Sequence, residues 1–422
     1  MTDTLRTTLV ADGLNFPTSL AFDDAGTMYV AESGLPFGGV PPGGRVWRLE
    51  PGGGRALMAQ GLSPPVNGLT HHLGELFVSV GGHPSSIMGL GLDGSTRTVV
   101  ADLPGPGNYQ TNMAVVGPDE KLYFSQGAMT NSGIIGMDSY EIGWLARLPH
   151  SHDVPGFDMV LSGVNVATPN PLSPGDDAEV ETGAFVPFGT ATTPGQRVPA
   201  ELPCTAAVMR CELDGSGLEL VAWGLRNAYG LGFLPDGRLV AVDQGADDRG
   251  SRPIGGAPDL LYEVRPGRWY GWPDFIGAEP VTDPRFRPER GAPPSFLLAN
   301  HDELPGPQPP LISFGAHRAA VKFDVGPPGL AYGEGDLFVA LFGDEVPMTA
   351  PSGPRVGREV VRVDLDGHRL HPVPAGPFAR PIDVRFGPEG VMHVLDFGHF
   401  EMTTAGVEAR PGTGKVYRLS AE

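Results

Sequence analysis

One short phrase recurs along this chain: Leu9-Val10-Ala11-Asp12-Gly13-Leu14, Leu57-Met58-Ala59-Gln60-Gly61-Leu62, Val99-Val100-Ala101-Asp102-Leu103 and Leu220-Val221-Ala222-Trp223-Gly224-Leu225. Each copy is followed within a few residues by a fresh apolar run. Such self-similarity marks a repeat architecture, in which each unit buries its faces only against its neighbours. The fresh runs begin near Pro17, Val66, Thr111, Ala228, Ala319 and Pro381. Most then meet a turn and a second strand-like run. Examples are Asp23-Asp24-Ala25-Gly26 before Met28-Tyr29-Val30, Gly117-Pro118-Asp119-Glu120 before Leu122-Tyr123-Phe124, and Gly387-Pro388-Glu389-Gly390 before Val391 to Leu395. Six starts imply six blades in an all-β ring. The first copy of the phrase has no blade before it, and the last blade, ending at Lys415-Val416-Tyr417-Arg418-Leu419, has none after it. The closure this implies pairs the N-terminal strand, Leu5 to Ala11, with the C-terminal blade and removes open sheet edges.

Such a ring makes residues 1–422 one closed domain. The 62 Gly and 45 Pro recur in turns between apolar runs, so they mark many short strands and not a disordered tail. A net charge of −20 makes nucleic acid an unsuitable partner. No basic run suits an anionic membrane, and no apolar run reaches the ~18 residues of a span. The N-terminal residues show no signal-peptide pattern, so the expected location is cytoplasmic, or secreted or periplasmic if a leader has been removed. Cys204 and Cys211 flank one apparent strand and are expected as free thiols. Two stretches exceed a plain connection: 131–203, with Trp144-Leu145 and His150-Ser151-His152-Asp153, and 277–310. Insertions of that length cover a site or mediate assembly.

The stretch Gly224 to Phe275 carries the densest signals. Leu225-Arg226-Asn227 precedes an apolar run, and Pro235-Asp236-Gly237 joins two short strands as a hairpin. The second strand leads into Gln244-Gly245-Ala246-Asp247-Asp248-Arg249, whose carboxylates and free carbonyls suit Ca²⁺ or simply make a solvated acidic turn. An aromatic knot, Trp269-Tyr270-Gly271-Trp272-Pro273, closes the stretch.

Those four motifs, in that order, resemble the soluble glucose/sorbosone dehydrogenase family. The resemblance implies a six-bladed β-propeller and an oxidoreductase acting on a small sugar- or polyol-like molecule, with pyrroloquinoline quinone (PQQ) held through Ca²⁺. It implies that Arg226, Asn227, Gln244 and Arg380 face the cofactor, and that Gly245 and Ala246, helped by Asp247 or Asp248, hold the metal. The family's catalytic histidine falls on Tyr109, its second cofactor arginine on Ile382, and its blade-five lysine has no counterpart in Leu341-Phe342-Gly343-Asp344. A phenol with a pKa of about 10 is a poor base at neutral pH unless perturbed. The proton acceptors expected in its place are His72, His317, or Tyr109 itself beside Arg226.

Loops at the ends of inner strands converge on the channel of such a ring. The wider candidate set is Glu32, His71, His72, Tyr109, Gln110, Arg226, Asn227, Gln244, His317, Arg318, Arg380, Asp396 and His399. Arg226 and Arg380, at matching blade positions, form a candidate carboxylate clamp. Two other functional classes stay open: a metal-dependent or cofactor-free lyase, isomerase or hydrolase using channel histidines, and a non-catalytic ligand-binding propeller.

Overall fold

The computed structural model describes residues 5–50, 52–173, 179–330 and 332–421. The turns sort the short strands into six antiparallel sheets set around one axis. Blade one runs Pro17–Phe22, Met28–Glu32, Gly44–Leu49 and Arg55–Leu62 from the inside out. Blade two follows with Val66–His72, Glu75–Val80, Ser85–Gly91 and Thr96–Leu103. Blade three is Thr111–Val116, Leu122–Gln126, Ala207–Cys211 and Glu219–Trp223, with Arg268–Trp269 added in parallel at its outer edge. Blade four is Ala228–Phe233, Leu239–Asp243, Pro258–Glu263 and Ile312–Ala316. Blade five is Ala320–Val325, Leu337–Leu341, Glu359–Asp364 and Arg369–Pro372. Blade six is Pro381–Phe386, Met392–Asp396 and Gly414–Ala421, completed by the N-terminal strand Leu5–Leu14.

The recurring phrase is therefore the fourth strand of a blade. In blade six it is contributed by the other end of the chain, with Thr7 opposite Leu419 and Leu9 opposite Tyr417. The closing strand runs three residues beyond the predicted Ala11. Burial explains the sequence patterns. Second strands such as Leu337–Leu341 and Met392–Asp396 are covered on both faces by adjacent blades and read as unbroken buried runs. Outer strands such as Arg55–Leu62 alternate with solvent. The core is correspondingly interleaved: Leu20 and Val30 of blade one, Phe338 of blade five and Val384 and Val394 of blade six pack as one cluster. Each fully buried side chain of this kind contributes about 1.5–3 kcal/mol.

The 131–203 insertion lies between the second and third strands of blade three and holds a short helix, Met137–Glu141. The 277–310 insertion lies between the third and fourth strands of blade four. The two are stitched together: Ser162 N–H donates to Leu297 O at 2.8 Å, and Val160 N–H to Asn300 Oδ1 at 3.0 Å. Cys204 and Cys211 are free and buried, and burial pushes their thiols up to about 12 and about 11. No helix among the described residues is long and apolar enough to cross a membrane.

Candidate active site

Every innermost strand breaks register with its neighbour just after its first residue. Such a bulge re-aims a side chain away from the ladder. The six side chains at this point are Thr18, Asn67, Asn112, Tyr229, Val321 and Ile382, and all six line one cavity of about 1880 Å³ at the mouth of the propeller. Directly beyond this ring sits Lys322, fully buried, its ammonium donating to the carbonyls of Thr18 and Asn67. Burial pulls its pKa down to about 7. Lys322 thus crosses the channel from blade five to blades one and two beneath the floor of this cup.

The wall on the blade-four side is organised by Asn131, the first residue of the long insertion. Its side-chain amide donates to Asp247 O (2.8 Å) and Arg249 O (3.0 Å). Its Oδ1 accepts from Arg226 Nη2 (2.7 Å) and Asp247 N–H (2.9 Å). Arg226 is buried, and all of its nitrogens are engaged: Nε by Asn131 O, Nη1 by the carbonyls of Gln244 and Gly245, and Nη2 by Asn131 and Asp247 Oδ2. Asn227 donates to Gln244 Oε1 at 2.7 Å, and both line the cavity.

Tyr109 stands over this layer. Its ring covers the Arg226 guanidinium at 4.2 Å, and its hydroxyl donates to Asp247 Oδ2 (3.2 Å) and accepts from Arg249 Nη2 (3.0 Å). Arg249 is held in turn by Asp138 of the insertion helix at 3.1 Å, and Asp138 by Asn108 at 2.9 Å. A phenol bonded to both a carboxylate and a guanidinium can pass a proton to one and have its oxyanion held by the other. Neither Arg249 nor Asn131 was a sequence candidate. The Arg after the acidic turn was visible there, but its partners Asp138 and Tyr109 lie more than a hundred residues away.

The structure separates several predicted site residues. His72 ends its inner strand at the opposite face of the ring and sits 3.3 Å from Glu120, outside the cavity. A seven-residue strand at about 3.3 Å per residue puts it roughly 20 Å from the mouth. His71 shares that end, its Nε2 accepting from Gly74 N–H. His317 does reach the cavity wall, at a left-handed φ of 60°. His399 is a rim residue 3.4 Å from Glu408, and Arg318 pairs with Glu359.

Glu32 and Asp396 are fasteners: each ends the second strand of its blade and accepts backbone N–H groups, from Asn15 at 2.7 Å and Arg380 at 2.9 Å respectively. Arg380 stacks on Phe342, outside the cavity, and its donors go to the carbonyls of Phe342, Asp344 and Phe400 and to Glu401. The expected Arg226–Arg380 clamp does not form, because both guanidiniums are consumed within the fold.

The acidic turn does not assemble a cation site either. The Gly245 carbonyl is taken by Arg226, and the Asp247 carboxylate by Arg226 and Arg249. Asp248 turns away to cap Glu289 N–H at 2.6 Å, and Ala246 packs into an apolar cluster with Ile254 and Phe286. Guanidiniums thus engage the Gly245 carbonyl and the Asp247 carboxylate, two of the groups expected to hold Ca²⁺. Among the described residues no group of three His, Cys, Asp or Glu is arranged to hold a metal. The blade-five and blade-six walls present Phe342, Ile382, Phe397 and Glu345. The residues present therefore do not fit PQQ: its three carboxylates would meet the Glu345 carboxyl, and the arginines with donors to spare, Arg147 and Arg290, stand at the exposed rim.

Glu345 is a residue that reading the sequence missed. Its backbone carbonyl accepts from Met348 N–H (2.8 Å) and Thr349 N–H (3.3 Å), which fixes the loop after blade five's second strand. Its carboxyl lines the cavity, and burial pushes it up to about 7.

No protein-family model and no curated protein sequence matches the chain. Solved structures do match over its whole length. A putative oxidoreductase (glucose dehydrogenase) from Thermus thermophilus is 20% identical, with a TM-score of 0.57, over 99% of this chain and 100% of that one. The PQQ-bound aldose sugar dehydrogenase of Streptomyces coelicolor is 17% identical, with a TM-score of 0.56, over 100% and 99%. The apo-form soluble aldose sugar dehydrogenase of Escherichia coli is 14% identical, with a TM-score of 0.57, over 99% and 100%. The chain is a six-bladed β-propeller. Its fold is the one seen in these three solved structures.

Proposed function

We propose that the protein is an enzyme acting on a small hydroxylated, sugar- or polyol-like molecule in the mouth of the propeller, with Tyr109 exchanging the proton of a substrate hydroxyl. The observation that carries this reading is the Tyr109 cluster: the phenol bonded to Asp247 and Arg249, its ring over Arg226, on the wall of the cup. Asp247 takes the phenol proton, Arg249 holds the oxygen while it is charged, and the Arg226 guanidinium faces the ring. Asn67, Asn112 and Gln244 supply the floor with neutral groups suited to orienting hydroxyls.

The whole-length likeness to sugar dehydrogenases supports an oxidoreductase form of this reading. In that form the hydroxyl proton passes to Tyr109 and the hydride to a diffusible acceptor. The misfit of the walls to PQQ favours a second form, a cofactor-free isomerase or lyase, in which the proton leaves and returns and no hydride departs.

Both forms are tested by offering aldoses and polyols to the purified protein. Dye reduction is followed with and without PQQ and Ca²⁺, and proton exchange by NMR in deuterated water. Turnover by either readout is expected, falling at least about 100-fold in Tyr109→Phe with substrate binding retained; added PQQ and Ca²⁺ should change nothing. Turnover indifferent to Tyr109→Phe would remove the proposed role of Tyr109. Sugar binding with no turnover would leave a ligand-binding propeller.

A further inference from the structure

The carboxylates set into the cavity wall are mostly engaged within the fold, while Glu141 stands exposed at the rim. Asp247 is paired with Arg226 and Arg249. Asp138 is held by Arg249 and Asn108. Asp259 accepts the N–H groups of Gly245 and Ala320, both at 2.9 Å. Glu345 differs. Among the described residues its carboxyl makes no hydrogen bond and no ion pair, although it lies in the same cup. Arg380, the nearest cation to act on it, stacks on Phe342 and directs its donors to three carbonyls and Glu401 instead. The remaining cavity arginines, Arg147 and Arg290, sit at the exposed rim, donating to the carbonyls of Gly143 and Pro347. The same cavity is lined by the aromatic rings of Phe342, Phe397, Phe400 and Tyr229.

An unpaired carboxyl in such a cavity is costly to keep charged, and a ligand ammonium removes that cost. The same ammonium gains a charge-assisted hydrogen bond and the negative faces of the rings. A neutral sugar leaves the carboxyl uncompensated, and a sugar acid meets it with like charge. The protein's net charge of −20 draws cations towards the mouth and repels anions.

We propose that the hydroxylated substrate of this cavity carries an amino group, as an amino sugar or amino polyol does, and that Glu345 is its counter-ion. This assignment rests on the reading that the cup takes a small hydroxylated molecule. It gives binding a definite pH dependence. The charges acting on Glu345 are Arg380, Asp247, Arg249 and Asp344, of both signs, and desolvation outweighs them to hold the carboxyl protonated up to about pH 7. The ammonium binds the ionised form. Affinity for an alkylammonium, charged throughout, therefore rises as pH increases from about 6 to about 8, whereas affinity for an amino sugar, whose own ammonium loses its proton at about pH 7–8, peaks between these values; binding of either ammonium at about pH 6–7 releases a proton from Glu345.

The test is calorimetric titration of the intact protein with glucosamine, glucose, glucuronate and a simple alkylammonium, at about pH 6, 7 and 8 and in buffers of different ionisation enthalpy. At about pH 7, where both ammonium and carboxylate are present, glucosamine should bind at least about ten-fold more tightly than glucose, and glucuronate more weakly than either. Glu345→Gln should collapse the glucosamine-to-glucose ratio towards one and abolish proton release. Its melting curve and its binding of glucose report that it is folded. Equal binding of glucosamine and glucose by the parent, or a preference that survives in Glu345→Gln, overturns the amino-group assignment while leaving the hydroxylated-substrate reading intact. Alkylammonium binding lost in Glu345→Gln, with no sugar bound at all, upholds the counter-ion and overturns that reading. No binding by any of the four overturns both.

Discussion

The chemistry of single residues here is set by which of their atoms the fold already engages. Arg226, Arg380, Asp247 and Asp248 look like ligand-binding groups in one dimension, yet each is saturated by the fold, and a saturated group contributes little to a ligand. Glu345 and Tyr109 remain facing the cup. The same saturation makes a prediction about calcium. With the Gly245 carbonyl held by Arg226 and Asp247 held by two guanidiniums, excess Ca²⁺ or a chelator should leave the melting temperature unchanged. A calcium-dependent rise of several degrees in a thermal-shift assay would show that this network opens to admit the ion.

At the scale of elements, two features do the shaping. The bulge after the first residue of each inner strand turns one side chain per blade into the cup, which is how strands scattered over the chain supply a single floor. The other is the N-terminal strand Leu5–Leu14, the outer edge of blade six. Deleting residues 1–12 should uncover the edge of Gly414–Ala421 and lower the melting temperature by several degrees or cause aggregation. A truncated protein that stays monomeric and melts with the parent, by light scattering and calorimetry, would show that the closing strand is dispensable.

The whole molecule carries a pH dependence from buried acids that the blades cannot easily hydrate. Desolvation raises Asp243 to about 7 and Asp259 to about 6, and Glu345 to about 7. Each of these carboxyls binds its proton more tightly folded than unfolded. As pH rises above about 4, the unfolded chain releases protons first, and stability falls from there up through about pH 7. Two groups act outside this window. Glu401, clamped by Arg355, Arg358 and Arg380, lies down at about 2, so its contribution is lost only in stronger acid. Lys322, down at about 7, adds stability only as pH rises above that value, because the folded chain is then neutral there while the unfolded chain is still charged. The melting temperature should therefore be higher at about pH 5 than at about pH 6.5. Asp243→Asn, which keeps the acceptor for Asn227 N–H (2.7 Å in the parent), should flatten that slope. A parent that melts equally or higher at the less acidic pH would contradict the desolvation account.

What the sequence determined by itself is the ring. The recurring fourth-strand phrase, six inner-strand starts and the unmatched phrase at Leu9 are local patterns repeated at a spacing, and they sufficed for six blades and for the closure that completes the sixth. They sufficed also for Tyr109, Arg226, Asn227 and Gln244 at the cup, because residues just before an inner strand or just after a second strand share one end of the ring. His72 was misplaced because it lies at the other end of an inner strand, and proximity to a strand end does not say which end. Only the tertiary structure decided what those side chains are free to do. Partners of Arg226 come from an insertion 95 residues away, Arg380 stacks on Phe342 with its donors engaged, and Asp248 is engaged in capping Glu289. Glu345 is conspicuous only once Asp138, Asp247 and Asp259 of the same cavity are seen to be engaged. Saturation of polar groups is a long-range property of packing, and no local pattern in the chain encodes it.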